Sequence, residues 1–443
     1  MTNSLTKGNE ARAIVLFSLP MIAGNFLQQL YNVADTLIVG RFLGSAALAA
    51  VGSAYALMVL LTSIILGLCM GSGVCFAQMF GAQRTDDLKT CIFNAFSFIL
   101  CITFAINVLS FALLDRIVVW LHIPPEALPY TTEYLHIIFV GMGFVSIYNF
   151  VAAVLRSIGN TVMPLVFLGV AAGINIVLDI VFVVYFNSGI AGAAWATVIA
   201  QGVSAAAISI YFFVHTRYLC PERRHCRLDK NLLRFVMSNS VLAGVQQSIM
   251  NFGILMIQGL VNSFGVAATA AFAAVVKIDA FAYMPAQDFG NAFSTFVAQN
   301  YGAGQYTRIR RGTRASAVLS SAFCAAASLA VCVFARPLML LFVQPSETEI
   351  IRIGMQYLRI EGACYIGIGL LFLYYGFFRG LGKGQMSIVL TVVSLGTRVL
   401  LAFILAAVPG IGLLGVWISI PVGWLLADLL GFFRCKNFFC ENT

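Results

Sequence analysis

Residues 76–83 read FAQMFGAQ, and residues 297–304 read VAQNYGAG. Gln78 matches Gln299, Gly81 matches Gly302 and Ala82 matches Ala303, each pair 221 residues apart. The same separation carries Gly44 onto Gly265 and Ala49-Ala50 onto Ala270-Ala271. Further along, LRSIGN at 155–160 matches FRGLGK at 378–383, setting Arg156 against Arg379 and Gly159 against Gly382 at a separation of 223. That spacing also places Gly189 and Gly192 on Gly412 and Gly415. Landmarks in one order at near-constant spacing mark a duplication. The halves meet in the loop at 216–232, so the expected division is 1–222 and 223–443.

Each half is a membrane bundle. Apolar residues make up 60% of the chain and charged residues 10%, against roughly 45–50% and about 25% in soluble domains. Stretches long enough to cross a bilayer, about 20 apolar residues each, recur with short breaks. Twelve spans follow, from 12–39 to 411–433, with the ninth at 315–340 and the tenth at 353–378. The fold class expected is an all-α polytopic membrane protein of about twelve transmembrane helices, built as two six-helix bundles related by pseudo-two-fold symmetry. The first span follows a polar start, lacks a small-residue cleavage site and carries Pro20, Asn25 and Gln28. It reads as a helix that stays, not a removed signal peptide.

The net charge of +9 records orientation here, not nucleic-acid binding. With the N-terminus inside, Arg41, Arg116, Arg336, Arg352 and Arg359 fall outside and Lys277 and Arg398 within helices. The remaining 19 of the 26 basic residues fall inside. This asymmetry places both termini in the cytoplasm of a multi-pass cytoplasmic (inner) membrane protein. The eleven cysteines are scattered through apolar helices as small hydrophobes. His215, Cys220, His225 and Cys226 share the central loop, but their spacing is loose for zinc, and no metal is expected.

Six helices per half give both halves the same orientation, and parallel repeats of this kind hold substrate near the midplane between them, served by alternating access. Ionisable groups inside the membrane cost at least about 2.5–3.5 kcal/mol near its centre and so mark function. On the first helix Asn25, Gln28, Asn32 and Asp35 are spaced 3, 4 and 3, on one face. Pro20 removes a backbone donor on the same helix and favours a kink. In the fifth helix Asn175 and Asp179 are four apart and share a face. The repeat carries Asp179 onto Ala402 and Asn175 onto Arg398, so the acidic cluster belongs to the first half alone. The seventh helix keeps a neutral polar face with Gln247 and Asn251, suited to a wet cavity wall. Glu361 and Arg398, on neighbouring helices, read as a charge-compensating structural pair. No nucleophile, metal or acid–base constellation is present, so an enzyme is not expected.

These residues resemble the multidrug and toxic compound extrusion (MATE) family, within the larger multidrug, oligosaccharidyl-lipid and polysaccharide exporter superfamily. The resemblance spans essentially the whole chain. It is carried by Pro20, Asp35, GRFLGSAALAA at 40–50, the repeated AQ-x-x-GA loops, Arg156-x-x-Gly159-Asn160, Asn175-x-x-x-Asp179 and GIAGAAWAT at 189–197. It implies a secondary antiporter expelling organic, often cationic and aromatic, compounds in exchange for protons or sodium ions, with no cofactor. Small organic substrates and membrane lipids are the partners it implies, for a monomer. By matching motif, Asp35, Asn175 and Asp179 would form the cation site of the N-terminal lobe, with Thr197 beside them and Pro20 the bending point. Some sodium-coupled members carry an acid in the seventh helix, and none is present here. A lipid-linked oligosaccharide flippase of the same superfamily is the alternative, but it calls for a cationic cavity.

Overall fold

The computed structural model describes residues 5–120, 123 and 126–441. The first half runs through α1 (Glu10–Phe42), α2 (Ser45–Gly81), α3 (Thr85–Ala112), the short α4 (Leu114–Trp120), α5 (Leu128–Ser157), α6 (Val162–Asp179) and α7 (Gly189–His215). The second runs through α8 (Lys230–Asn262), α9 (Val266–Gly302), α10 (Tyr306–Val333), the short α11 (Ala335–Leu340), α12 (Thr348–Gly362), α13 (Tyr365–Gly380), α14 (Gly384–Ala406) and α15 (Leu413–Glu441). Among the described residues eleven helices are long and apolar enough to cross a membrane, and α12 with α13 supplies a twelfth as a bent pair. This is a multi-pass membrane protein.

The duplication is visible element by element. α2 and α9 are both 37 residues long, and α3 and α10 are both 28. The corners leading into α2 and α9 turn on Gly44 at φ 86° and Gly265 at φ 96°, a region in which a side chain is strained.

Large apolar side chains point outward, as lipid requires: Phe104 is 70% exposed and Leu37 66%. Between helices the packing relies on small residues, because hydrocarbon gives no hydrophobic drive to association. Gly192, Ala193, Ala194 and Ala196 are buried on α7, which packs against α5.

Two spans differ from the sequence expectation. The tenth is not one helix: it breaks at Ala363–Cys364, after Gly362, and α12 and α13 are bent by 53°. A glycine at the end of α12 lowers the cost of leaving the helix there, and Cys364 N–H closes the turn on the Glu361 carbonyl. The ninth begins earlier, at Tyr306, and is interrupted at Phe334 before α11.

The described chain divides into two compact units, one of Leu19–Gly244 and the other of Leu5–Ser18 with the residues from Val245 onward. The division therefore differs from 222/223. The first half of α8 belongs with the first unit because Gly67 and Gly71 of α2 let its backbone approach at Gly244 and Asn239. A Cβ on Gly71 would collide with the Asn239 carbonyl. Ser72 and Ser240 add a hydroxyl hydrogen bond at 2.8 Å.

Candidate functional site

The polar stripe of α1 faces a cavity of about 370 Å³ within the first unit. Asn25, Gln28, Asn32 and Asp35 all line it, as do Asn175 from α6 and Thr197 from α7. Helical spacing is what aligns the four α1 residues, since positions three and four apart stack on one side. Pro20 lines the same cavity, yet α1 runs as an unbroken α-helix through it.

The Asn175 side-chain N–H donates to the Thr197 hydroxyl at 3.3 Å. Its carbonyl oxygen is buried without a hydrogen-bond partner, and so is one oxygen of Asp35. Asp179, one turn beyond Asn175, is 0% exposed, and among the described residues neither of its carboxylate oxygens has a partner. Among the described residues no ion pair involves Asp35 or Asp179. Asp179 lies near enough to Asp35 to feel its charge, and Tyr134 feels both. Burying a carboxylate this way is costly unless a proton or cation meets it.

Helix α6 ends at Asp179, where the backbone passes into a π-helical turn, Ile180–Tyr185. Such turns are rare and concentrate at functional sites. The sequence offers no sign of this one.

Four tyrosines, Tyr31, Tyr55, Tyr134 and Tyr148, and Arg156 also line the cavity. Tyr31 was legible: it stands three residues after Gln28 and four before Asp35, and its hydroxyl is hydrogen-bonded with Gln28. The other three lie on α2 and α5 and reach the cavity only through packing. Gln247 and Asn251 do not line it. They sit half-buried on α8, in the second unit.

The second unit holds its own buried polar group. Tyr365 donates to Asp279, and Tyr357 is hydrogen-bonded with both Asp279 and Glu361. Arg398 acts on these carboxylates through its field, but among the described residues it forms no direct ion pair with Glu361. The expected Glu361–Arg398 pair is therefore replaced by a tyrosine-bridged one. The bend between α12 and α13 falls just past Gly362, the residue after Glu361.

In the central loop His225 is buried, with Nε2 3.0 Å from Asp86 and Nδ1 accepting from the Glu222 N–H at 3.1 Å. Among the described residues no group of histidines, cysteines and acids could hold a metal.

The MatE family model matches residues 20–181 and again 243–404. The chain belongs to the MatE family. Its second match begins and ends 223 residues after the first, so the family unit itself is the repeat. The chain is 30% identical over 390 residues to YpnP of Bacillus subtilis (strain 168), described as a probable multidrug resistance protein, covering 88% of this chain and 86% of that one. It is 27% identical over 438 residues to YoeA, a second probable multidrug resistance protein of the same strain, covering 97% and 94%. A MOP superfamily transporter from Pyrococcus furiosus shares the fold at TM-score 0.93 and 23% identity, covering 99% of this chain and 98% of that one. MatE proteins are transporters, not enzymes.

Proposed function

We propose that this MatE chain exports organic, often cationic and aromatic, compounds in exchange for protons or sodium ions by alternating access. The observation that carries the reading is one cavity in which Asp35, which among the described residues forms no ion pair, meets tyrosine walls, with Asp179 buried one turn beyond the lining residue Asn175. Asp35 and Asp179 carry oxygens that among the described residues meet no partner, so a proton, a metal cation or a cationic substrate can neutralise them. Tyrosine faces attract planar cations at about 0.5–2 kcal/mol each. If ion and substrate favour different charge states of the same carboxylates, each promotes release of the other. Pro20, which lines the cavity, leaves one α1 carbonyl without its usual donor and so lowers the cost of bending there.

A flippase for lipid-linked oligosaccharides is disfavoured: the cavity offers one arginine, Arg156, alongside Asp35, whereas a pyrophosphate calls for clustered cations. The test is export of ethidium, an aromatic cation, by the purified chain in liposomes under separately imposed proton and sodium gradients. Export driven by one of the two supports antiport. Export under neither, with inserted protein, refutes it.

A further inference from the structure

The residues ahead of α1 are pinned to the α9–α10 corner of the second unit by one arginine. Arg308 Nη1 donates to the Gly8 carbonyl at 2.6 Å, and Nη2 donates to the carbonyls of Lys7 at 2.9 Å and Leu5 at 3.2 Å. Its Nε also reaches the Leu5 carbonyl at 3.3 Å, and Glu10 lies at 3.5 Å. The Leu5 N–H donates to Gln299 at 3.0 Å, and the Asn300 amide donates to the Leu5 carbonyl at 3.3 Å. Leu5 itself is 1% exposed. The Arg308 side chain, 13% exposed, lies over the Phe296 ring. A planar five-donor fork suits such a task, and a lysine could not reproduce it.

The other half does the same by different chemistry. The segment ahead of α8 is pinned to α3: Lys89 donates to Glu222 at 2.8 Å, His225 meets Asp86, and Asn94 donates to the Arg227 carbonyl at 3.2 Å. Thus the leading segment of each half's first helix is docked at the equivalent corner, although Arg308 falls on Asp87 in the repeat. Composition reads Arg308 as one more inner-face charge. Seven polar contacts, five of them from Arg308, on three backbone residues and Glu10 are more than topology needs.

We infer that Arg308 is a positioning residue for transport, holding the start of α1 fixed so that bending at Pro20 displaces the Asn25–Asp35 face instead of dissipating in the helix's first turns. The division between units in α1 falls at Ser18/Leu19, next to Pro20. The inference rests on the proposed function, and Arg308 lies outside the residues that line the cavity.

The experiment uses the full chain in liposomes, with Leu5→Cys as a reporter of docking and ethidium as the transported probe. In the parent, Leu5→Cys should resist a membrane-impermeant maleimide applied from its own side. Adding Arg308→Gln should expose it. Arg308→Gln should also lower maximal ethidium export about five-fold or more, with the half-saturating ethidium concentration unchanged, because the cavity is intact. Arg308→Lys should fall between. A Leu5→Cys that stays protected in Arg308→Gln overturns the docking role. A reactive Leu5→Cys with undiminished export, or a loss of export through a raised half-saturating concentration, overturns the positioning role. If the parent chain exports no ethidium under either gradient, the proposed function fails first and the positioning role falls with it.

Discussion

The Asn175 amide donates to the Thr197 hydroxyl at 3.3 Å, which fixes the amide so that its carbonyl oxygen stays turned into buried space without a partner. An acceptor held this way is ready for a cation or a protonated carboxyl. Replacing Thr197 by Val keeps the shape and removes the hydroxyl. One hydrogen bond is worth about 0.5–1.5 kcal/mol net. The ion concentration for half-maximal export should therefore rise about three- to ten-fold, measured as initial export rates against the driving ion. An unchanged ion dependence would remove Thr197 from the site.

Asp179 is fully enclosed with neither oxygen bonded. Asp179→Asn removes a buried charge while keeping the volume. Ion-driven export should be lost, yet the detergent-solubilised variant should melt no lower than the wild type, because an uncompensated carboxylate stabilises nothing. A marked fall in Tm would mean that Asp179 is a structural anchor.

Among the described residues Glu361 is bridged to Asp279 through Tyr357 and forms no ion pair with Arg398. Arg398→Met leaves Asp279 and Glu361 together without their nearby cation, and the yield of folded protein should drop. Glu361→Gln keeps an acceptor for the Tyr357 hydroxyl and should be recovered near wild-type yield. Size-exclusion profiles of fluorescent fusions compare the two. Equal loss in both variants would restore the direct-pair reading.

The Lys89 ammonium donates to Glu222 in the central loop and holds its carboxyl below the ordinary glutamate range. A depressed carboxylate contributes stability above its unfolded pKa and loses it as pH falls through the folded value. Docking of the loop on α3 should thus persist at neutral pH and weaken in acid. Limited proteolysis should cut the loop slowly at pH 7 in the wild type and faster in Lys89→Met. Equal cutting in both would show that the pair does not hold the loop.

Much of this was legible in the sequence because helices in lipid obey simple rules. Spans announce themselves by length and apolarity, and the separations of 221 and 223 residues reappear in paired helix lengths and in the two family matches. The Asn25-Gln28-Asn32-Asp35 stripe needed only the helical period. What stayed hidden depends on the third dimension. The break between α12 and α13 follows a lone glycine, Gly362, of a kind that unbroken helices here also carry, and the π-turn after Asp179 contains neither glycine nor proline. Tyr55, Tyr134 and Tyr148 reach the cavity only once α2 and α5 are packed. Helices α1 and α8 each join both units, so a cut at the connecting loop could not find the division at Gly244.

Asp35 tests the central claim most directly, because it lines the cavity and among the described residues forms no ion pair. Ethidium export by wild-type and Asp35→Asn proteins, reconstituted at equal density under the gradient that drives the wild type, is the measurement. The account predicts that Asp35→Asn inserts normally and exports at the background rate of empty liposomes. Wild-type export rates in Asp35→Asn would contradict it.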